Sequence, residues 1–314
     1  GLPVFELSHP VSRNIVYWLH IAAPLAACWL FVLHRLAGKR IRWGAGAAIG
    51  GISLIMSLVI VWVSTPPPPE PIVGNFEPSL ARTESGHFLT TEDLMADDYC
   101  AGCHQDIFEQ WQHSAHRFAS FNNPAYLFSV RNTRQVAFER DGDVTAARFC
   151  AGCHDPVPLF TGAFDDPEFD DEQHETAHAG ITCVSCHGIT ALGSPRGNSD
   201  YVIGAPEHYP FAFSQNPTLQ WVNGILIKGK PALHKRTFLK PLHESAEFCG
   251  TCHKVHLPEK LNKYKWLRGQ NHYDSFLLSG VSGHGVLSFY YPDQAQPNCN
   301  GCHMPWQPSD DLGA

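Results

Sequence analysis

Cys100-Ala-Gly-Cys103-His104 is the first of five Cys-x-x-Cys-His pentapeptides in this chain of 314 residues. The other four are Cys150-Ala-Gly-Cys153-His154, Cys183-Val-Ser-Cys186-His187, Cys249-Gly-Thr-Cys252-His253 and Cys299-Asn-Gly-Cys302-His303. This pattern is the attachment signal for c-type haem, because both thiols can form thioethers to the porphyrin while the histidine binds the iron. The sequence therefore predicts five covalently bound haem c groups, held by the ten motif cysteines and ligated by the five motif histidines.

Two other uses of paired cysteines fit the pattern less well. A zinc ribbon needs two such pairs per metal ion and no trailing histidine, so five pairs would leave one without a partner. A disulfide framework requires an even number of cysteines but no fixed spacing. The eleventh cysteine, Cys28, lies in an apolar segment, where we expect it only to pack against its neighbours.

The N-terminal part contains two apolar segments. Residues 14–33 and 43–63 have no Lys, Arg, Asp or Glu, and about 20 residues are enough for a helix to cross a hydrocarbon core of about 30 Å. The turn between them, residues 34–42, is rich in Arg and Lys. Positive charge stays on the cytoplasmic side of a membrane. We therefore expect residues 1–63 to form an N-terminal tail and a transmembrane helical hairpin with both ends outside.

A proline-rich segment follows the second apolar segment. Residues 64–71 read Ser-Thr-Pro-Pro-Pro-Pro-Glu-Pro, and prolines in series favour an extended, semi-rigid spacer. We assign residues 64–85 to a linker and residues 86–314 to a pentahaem cytochrome c domain.

For the haem domain we predict a mainly α fold with irregular loops and little sheet, in which the haems form most of the buried apolar surface. Apolar residues recur at helical spacing in residues 103–121, and a second helix is expected at 242–253. Scattered Gly and Pro favour irregular loops from 156 to 232. A small hairpin is expected at 134–149, turning at Asp141-Gly142-Asp143.

The haem domain is acidic. The first 63 residues hold five of the 22 Lys and Arg residues and one of the 30 Asp and Glu residues, so residues 64–314 carry a formal charge of −12. This charge argues against nucleic acid as a partner. It favours a basic docking surface on the proteins that exchange electrons with the domain.

The second axial ligand of each iron distinguishes a carrier from an enzyme. The chain has three methionines and 19 histidines, which makes bis-histidine haems of low potential the default. Eleven histidines remain after the five motif histidines and three near the N-terminus are set aside: His87, His113, His116, His174, His178, His208, His234, His243, His256, His272 and His284.

A resemblance narrows this choice. Tyr99-Cys-Ala-Gly-Cys-His-Gln-Asp-Ile-Phe-Glu-Gln-Trp-Gln-His-Ser-Ala-His116 resembles the opening of the multihaem family that includes the tetrahaem electron acceptor of hydroxylamine oxidoreductase. Residues 180–188, Gly-Ile-Thr-Cys-Val-Ser-Cys-His-Gly, resemble another motif of that family, and residues 248–256 and 302–305 are similar to motifs of larger relatives. The resemblance implies that His116 ligates a haem other than the first and that His208 is also a ligand.

Three further ligands are predicted from position. His178 and His243 stand five and six residues before a motif cysteine, and His284 lies in the glycine-rich segment 280–285, where the backbone could approach a porphyrin closely. His113 is interpreted as a surface residue, whereas His87, His256 and His272 remain substitutes.

These features predict a multi-pass protein of the inner (cytoplasmic) membrane whose haem domain faces the periplasm or cell exterior. Its expected role is to carry electrons from a membrane quinol oxidase or periplasmic dehydrogenase to a downstream cytochrome, as a subunit of a membrane complex. A reductase or oxidase of small nitrogen or sulfur compounds with one open haem is the alternative, although the Cys-x-x-Cys-Lys site of pentahaem nitrite reductases is absent. A unit of a cytochrome filament is the third hypothesis.

Overall fold

The computed structural model describes residues 10–36, 43–63, 76–262, 265–286 and 295–313. The chain divides into two compact units, Gly1–Pro69 and Glu70–Ala314. Most of the basic turn and most of the proline-rich linker predicted from the sequence lie outside the described residues.

The N-terminal unit contains two helices, α1 (Pro10–Leu36) and α2 (Trp43–Val63). They contact each other where Trp29 Nε1 donates a hydrogen bond of 3.3 Å to the carbonyl oxygen of Gly46. Within the described residues, no helix combines the length and the apolar character needed to cross a bilayer. The predicted transmembrane hairpin is therefore not supported, although both of its segments are helical.

The C-terminal unit is mainly α-helical, as predicted. Its described helices are α3 (Thr91–Leu94), α4 (Asp97–Ala101), α5 (Gln105–Gln112), α6 (Pro124–Asp141), α7 (Arg148–His154), α8 (Pro156–Thr161), α9 (Cys183–His187), α10 (Pro217–Gly229), α11 (Pro231–Phe238), α12 (Ala246–Gly250), α13 (Glu259–Asn262), α14 (His272–Leu278) and α15 (Asn300–His303). Single 3-10 turns occur at Thr145–Ala147, Ala163–Asp165 and Pro241–Glu244.

Two small sheets accompany these helices. Strands β1 (Arg82–Thr83), β2 (Ile189–Leu192) and β3 (Tyr201–Ile203) form a sheet of order β1-β3-β2, in which β1 is parallel and β2 antiparallel to β3. Strands β4 (Lys254–Leu257) and β5 (Leu267–Asn271) form an antiparallel pair. The predicted small amount of sheet is thus observed.

Helix α6 replaces the hairpin expected at residues 134–149, so that prediction was wrong. Asn123 caps its N-terminus by accepting hydrogen bonds from the amides of Ala125 and Tyr126, and Pro124 occupies the first turn. Gly142 ends the helix with a left-handed φ of 82°. An Asp-Gly-Asp sequence suits a hairpin turn and a helix C-terminus equally well, because both require positive φ.

Prolines begin helices in the segment 156–232, where irregular loops were expected. Pro156 and Pro217 lie in the first turns of α8 and α10, where the missing N–H has no helical acceptor to lose. The helix expected at 103–121 is shorter, since α5 ends at Gln112. The helix expected at 242–253 divides into a 3-10 turn and α12.

A side-chain core lies between residues 76 and 203. Phe76, Phe121, Phe160 and Phe164 are almost completely buried together, with Leu, Val and Ala side chains between them. Burying one such side chain contributes roughly 1.5–3 kcal/mol. Residues 76–85, which the sequence places in the linker, supply Phe76 and the strand β1 to this unit. The expectation that haems would form most of the apolar interior thus overlooked a conventional core.

Candidate haem-binding sites

Each Cys-x-x-Cys-His motif forms a short helical turn. The amide of the motif histidine donates to the carbonyl of the first cysteine, over 3.0 Å for His104, 2.9 Å for His253 and 3.0 Å for His303. In a helical turn, residues i, i+3 and i+4 share one face. Both thiols and the imidazole of a motif therefore lie on the same side, as two thioethers and one axial ligand of a single haem require.

Two motif histidines are already oriented by backbone carbonyls. His154 Nδ1 lies 2.8 Å from the carbonyl oxygen of Ala119, and His187 Nδ1 lies 2.7 Å from that of Phe238. A bond at Nδ1 fixes the ring and leaves Nε2 available for iron. Burial lowers the pKa of both imidazoles, so both favour the neutral form that can bind iron.

The motifs meet through their thiols. The thiols of Cys100 and Cys183 lie close together, which joins the first motif to the third. Cys252 contacts Cys153, and Cys249 contacts Cys299. The second, fourth and fifth motifs thus form another group. The fold brings the five motifs together although the third and fourth are 66 residues apart in the chain.

Imidazole pairs accompany this clustering. The ring centres of His116 and His253 are 6.2 Å apart, those of His104 and His234 are 6.1 Å apart, and those of His253 and His272 are 6.1 Å apart. Two imidazoles bound on opposite sides of one metal, each at about 2 Å, would have centres about 6 Å apart. His116 and His272 therefore both lie at the spacing expected of a second ligand to the fourth haem, and only one of them can take that position. His116 is the one that the resemblance implies, at a haem other than the first.

His208 and His243 lie near the first and third motifs. His208 Nε2 is buried without a hydrogen-bond partner, and its ring packs against Tyr99 and Phe213. A buried, unpaired ring nitrogen is costly unless something else binds it, which fits a ligand.

His243 lies closer to its neighbouring motif. Its ring centre is 4.9 Å from that of His187 and its Nε2 is 3.3 Å from the carbonyl oxygen of Cys186. Burial and the neighbouring His187 lower the pKa of His243 to about 4. A spacing of 4.9 Å is shorter than two imidazoles on one iron would show.

The other two predicted ligands are exposed, as His116 is. His284 is exposed, with Nε2 3.4 Å from the carbonyl oxygen of Pro297, two residues before the fifth motif. His178 is exposed and its carbonyl accepts a hydrogen bond from Arg117. The structure thus brings His116, His208 and His243 to other motifs, places His284 beside the fifth, and leaves His178 at the surface.

The remaining histidines also have distinct surroundings. His113 is exposed and its Nδ1 lies 2.8 Å from the carbonyl oxygen of Glu109, in keeping with a surface residue. Among the three substitutes, His87 has a buried Nδ1 without a partner, His256 stacks on Trp266, and His272 lies beside His253. His234, which sequence reasoning did not select, faces the first motif.

A buried acidic group adjoins the second motif. The Tyr126 ring stacks on His154 with centres 4.2 Å apart, and the Tyr126 hydroxyl donates to the carboxylate of Asp155. Burial raises the pKa of Asp155 to about 7. Sequence reasoning missed this pair, because nothing in the helix 124–141 indicated which residues face the motif.

Comparison with known proteins agrees with the motifs. Residues 99–188 match the family model described as cytochrome c554 and c-prime. No curated protein and no solved structure matches the chain. The matched segment contains the first three motifs and His116. The similarity supports a c-type cytochrome that binds haem c covalently and transfers electrons.

Proposed function

We propose that this protein is a pentahaem electron carrier. The observation that supports the proposal best is the convergence of five attachment motifs, whose thiols contact one another in two groups. Cys186 of the first group and Cys252 of the second are also close enough to interact electrostatically. Haems attached to motifs in contact would be near neighbours, so that electrons could pass along the series.

The histidines around the motifs support a role in electron transfer rather than in catalysis. The spacings at His253 and His104 suit bis-histidine ligation, which closes the position where a substrate would bind and gives haems of low potential. Burial lowers the pKa of His116. Burial and, to a smaller extent, repulsion from neighbouring imidazoles lower the pKa values of His253 and His234. These rings are therefore neutral near pH 7, as iron ligation requires.

Spectroscopy and haem counting test the proposal that the protein is a pentahaem electron carrier. The purified protein should contain five haems by pyridine haemochrome assay and by mass. Its ferric paramagnetic resonance spectrum should be mostly low-spin. Fewer than five haems, or more than one high-spin ferric haem, would contradict the proposal.

Location and partners form a further part of the proposal. We expect the haem unit to lie outside the cytoplasm, on the outer face of the inner membrane, accepting electrons from a quinol oxidase or periplasmic dehydrogenase and passing them to a cytochrome. The charge-free segments 14–33 and 43–63 support membrane attachment, whereas the described helices do not support a span. Extraction of native membranes with carbonate, followed by native mass measurement in mild detergent, distinguishes the alternatives of a free protein, a peripheral protein and a complex subunit.

One observation favours the alternative of a reductase with an open haem. None of the described ring pairs places an imidazole about 6 Å from His154, and the buried carboxyl group of Asp155 lies beside the Tyr126 ring that stacks on His154. A five-coordinate second haem with a proton donor nearby could reduce small nitrogen compounds. Mixing the reduced protein with nitrite or hydroxylamine tests this, because repeated turnover would identify an enzyme and slow, incomplete reoxidation would favour a carrier.

A further inference from the structure

Residues 208–243, between the third and fourth motifs, lie over the first motif. Asn223 Nδ2 donates a 2.9 Å hydrogen bond to the hydroxyl of Tyr99, the residue before Cys100. The Tyr209 hydroxyl donates to the carbonyl of Lys230 and so joins the start of this segment to the turn before α11. Helix α11 is thereby held beside the first attachment site.

His234 on α11 faces His104. The two ring centres are 6.1 Å apart and the ring planes differ by 11°. Rings in full face-to-face overlap would have their centres about 3.5–4 Å apart, so these imidazoles do not overlap face to face. Their spacing agrees with the distance of about 6 Å expected for two imidazoles bound to one iron through bonds of about 2 Å.

The surroundings of His234 suit a ligand held in place. Its ring packs on Phe238 with centres 4.9 Å apart, and the carbonyl of Phe238 in turn accepts from Nδ1 of His187. His243 lies at the third motif instead, so the main rival is His208, whose buried Nε2 has no partner. Only His234 shows an iron-like spacing to His104 among the described ring pairs.

We propose that His234 is the second axial ligand of the haem bound at Cys100 and Cys103, opposite His104. The proposal rests on the function given above, since it requires a haem at the first motif. It makes the first haem six-coordinate through a helix that lies outside the segment matched to the cytochrome family.

The test uses the full holoprotein with His234→Gly. All five haems should stay attached, because attachment depends on the cysteines. One haem should become high-spin, and the reduced protein should bind one additional equivalent of carbon monoxide. Added imidazole should restore the low-spin signal by occupying the cavity, which a merely structural role for His234 would not produce. Lys235→Gly is the matched control, because it places the same flexible residue in the same helix and should change neither signal.

The possible results distinguish a wrong ligand assignment from a wrong proposed function. An unchanged spectrum in His234→Gly, with the spin change and imidazole rescue found in His208→Gly instead, would assign the ligand to His208 and overturn the proposal. In a Cys100→Ser, Cys103→Ser background, a new high-spin signal from His234→Gly would show that it ligates another haem. If the unmodified protein lacked a haem at the first motif, the proposed function would fail before the ligand was tested.

A separate observation concerns the outer surface of the same segment. Residues 208–243 contain five Lys and Arg residues but no Asp or Glu, within a unit that is otherwise acidic. Lys228, Lys230, Lys235 and Arg236 are exposed, and Arg236 forms an ion pair of 3.8 Å with Glu207, the residue before this segment. Trp221 and Ile225 are 66% and 48% exposed, and with Lys228 they recur at the spacing that places residues on one side of a helix.

We infer that this surface docks an electron-transfer protein with an acidic face. Exposed aromatic residues are enriched at the centre of protein interfaces, and charged residues such as Lys lie at the rim. The cations would attract an acidic partner to the unit that otherwise repels it. The adjacent Tyr99 and His234 place the contact beside the first motif, where electrons could enter or leave.

Reduced flavodoxin, a small acidic one-electron donor, serves as the probe. Reduction of the holoprotein should be fast at low salt and slow as salt is added, and Lys235→Glu with Arg236→Glu should lower the low-salt rate by about tenfold. Arg140→Glu with Arg196→Glu changes the net charge equally at other exposed sites and should have a much smaller effect. Equal effects of both pairs would overturn the inference. Loss of binding to phosphatidylglycerol vesicles without any change in the flavodoxin rate would instead identify a membrane surface.

Discussion

Residues 76–203 and residues 204–313 both carry haem motifs, but their interiors are built differently. In the first region, which we call the core region, Phe76, Phe121, Phe160 and Phe164 pack into a continuous side-chain core around three motifs. In the second, which we call the C-terminal region, apolar side chains such as Leu278 and Val286 are 73% and 89% exposed. The core region can therefore be stabilised by its own side chains, whereas the C-terminal region needs its haems to bury apolar surface.

Removal of the fourth haem should have the largest effect. Cys249→Ser with Cys252→Ser deletes a haem whose motif contacts both the second and the fifth motifs. We expect amide hydrogen exchange to rise by orders of magnitude across the described residues 204–313 and to change little around Phe160 and Val130. Equal loss of protection in both regions would show that the side-chain core is not independent.

A substitution in the side-chain core should destabilise the core region, in contrast to the removal of the fourth haem. Phe160 is fully buried and packs edge-on against Phe76 with ring centres 5.1 Å apart. Phe160→Ala should lower the free energy of unfolding by about 3–5 kcal/mol, measured by denaturant titration. The exposed Trp306 provides the control, because Trp306→Ala should change the free energy of unfolding by less than about 0.5 kcal/mol.

Asp155 gives the core region a pH dependence of its own. Its pKa rises from 3.8 to about 7 on folding, through burial. Between these values the unfolded chain loses the proton and the folded chain keeps it, so stability falls as the pH rises from about 4 to about 7 and is then constant. The total is about 4 kcal/mol at 1.36 kcal/mol per pKa unit. Unfolding titrations at pH 5 and pH 8 should differ by about 3 kcal/mol of this total, and Asp155→Asn should remove most of that difference.

His116 tests whether the two regions share a haem. It belongs to the core region, but its ring centre lies 6.2 Å from that of His253 in the fourth motif. His116→Ala should leave five haems attached, make one high-spin and raise its potential, because a nitrogen donor that favours ferric iron is lost. His113→Ala, on the same segment, should leave the low-temperature paramagnetic resonance spectrum unchanged. The reverse result would mean that the wrong histidine was chosen.

Local motifs and long-range contacts differ in how far the sequence predicts them. Attachment motifs are local, so the ten cysteines and five histidines could be found from spacing alone, and His116 lies seventeen residues after Tyr99 in a recognisable block. The partner of His104 could not be found in this way, because His234 meets it across 130 residues through packing of α10 and α11. Eleven histidines of similar local context gave no means of ranking those that meet a motif only after folding.

Two glycines provide the smallest and most local test of the comparison. Gly142 ends α6 in the core region with φ of 82°, so Gly142→Ala forces a side chain into the left-handed region and should destabilise the protein by about 1 kcal/mol. Gly224 lies inside α10 of the C-terminal region, and an added Cβ would meet nothing within 4 Å. Gly224→Ala should therefore stabilise that helix by up to about 1 kcal/mol. Hydrogen exchange can localise both effects. If Gly224→Ala left the protection of α10 unchanged, the stability of this helix would depend on its contacts with the first motif rather than on its own helix propensity.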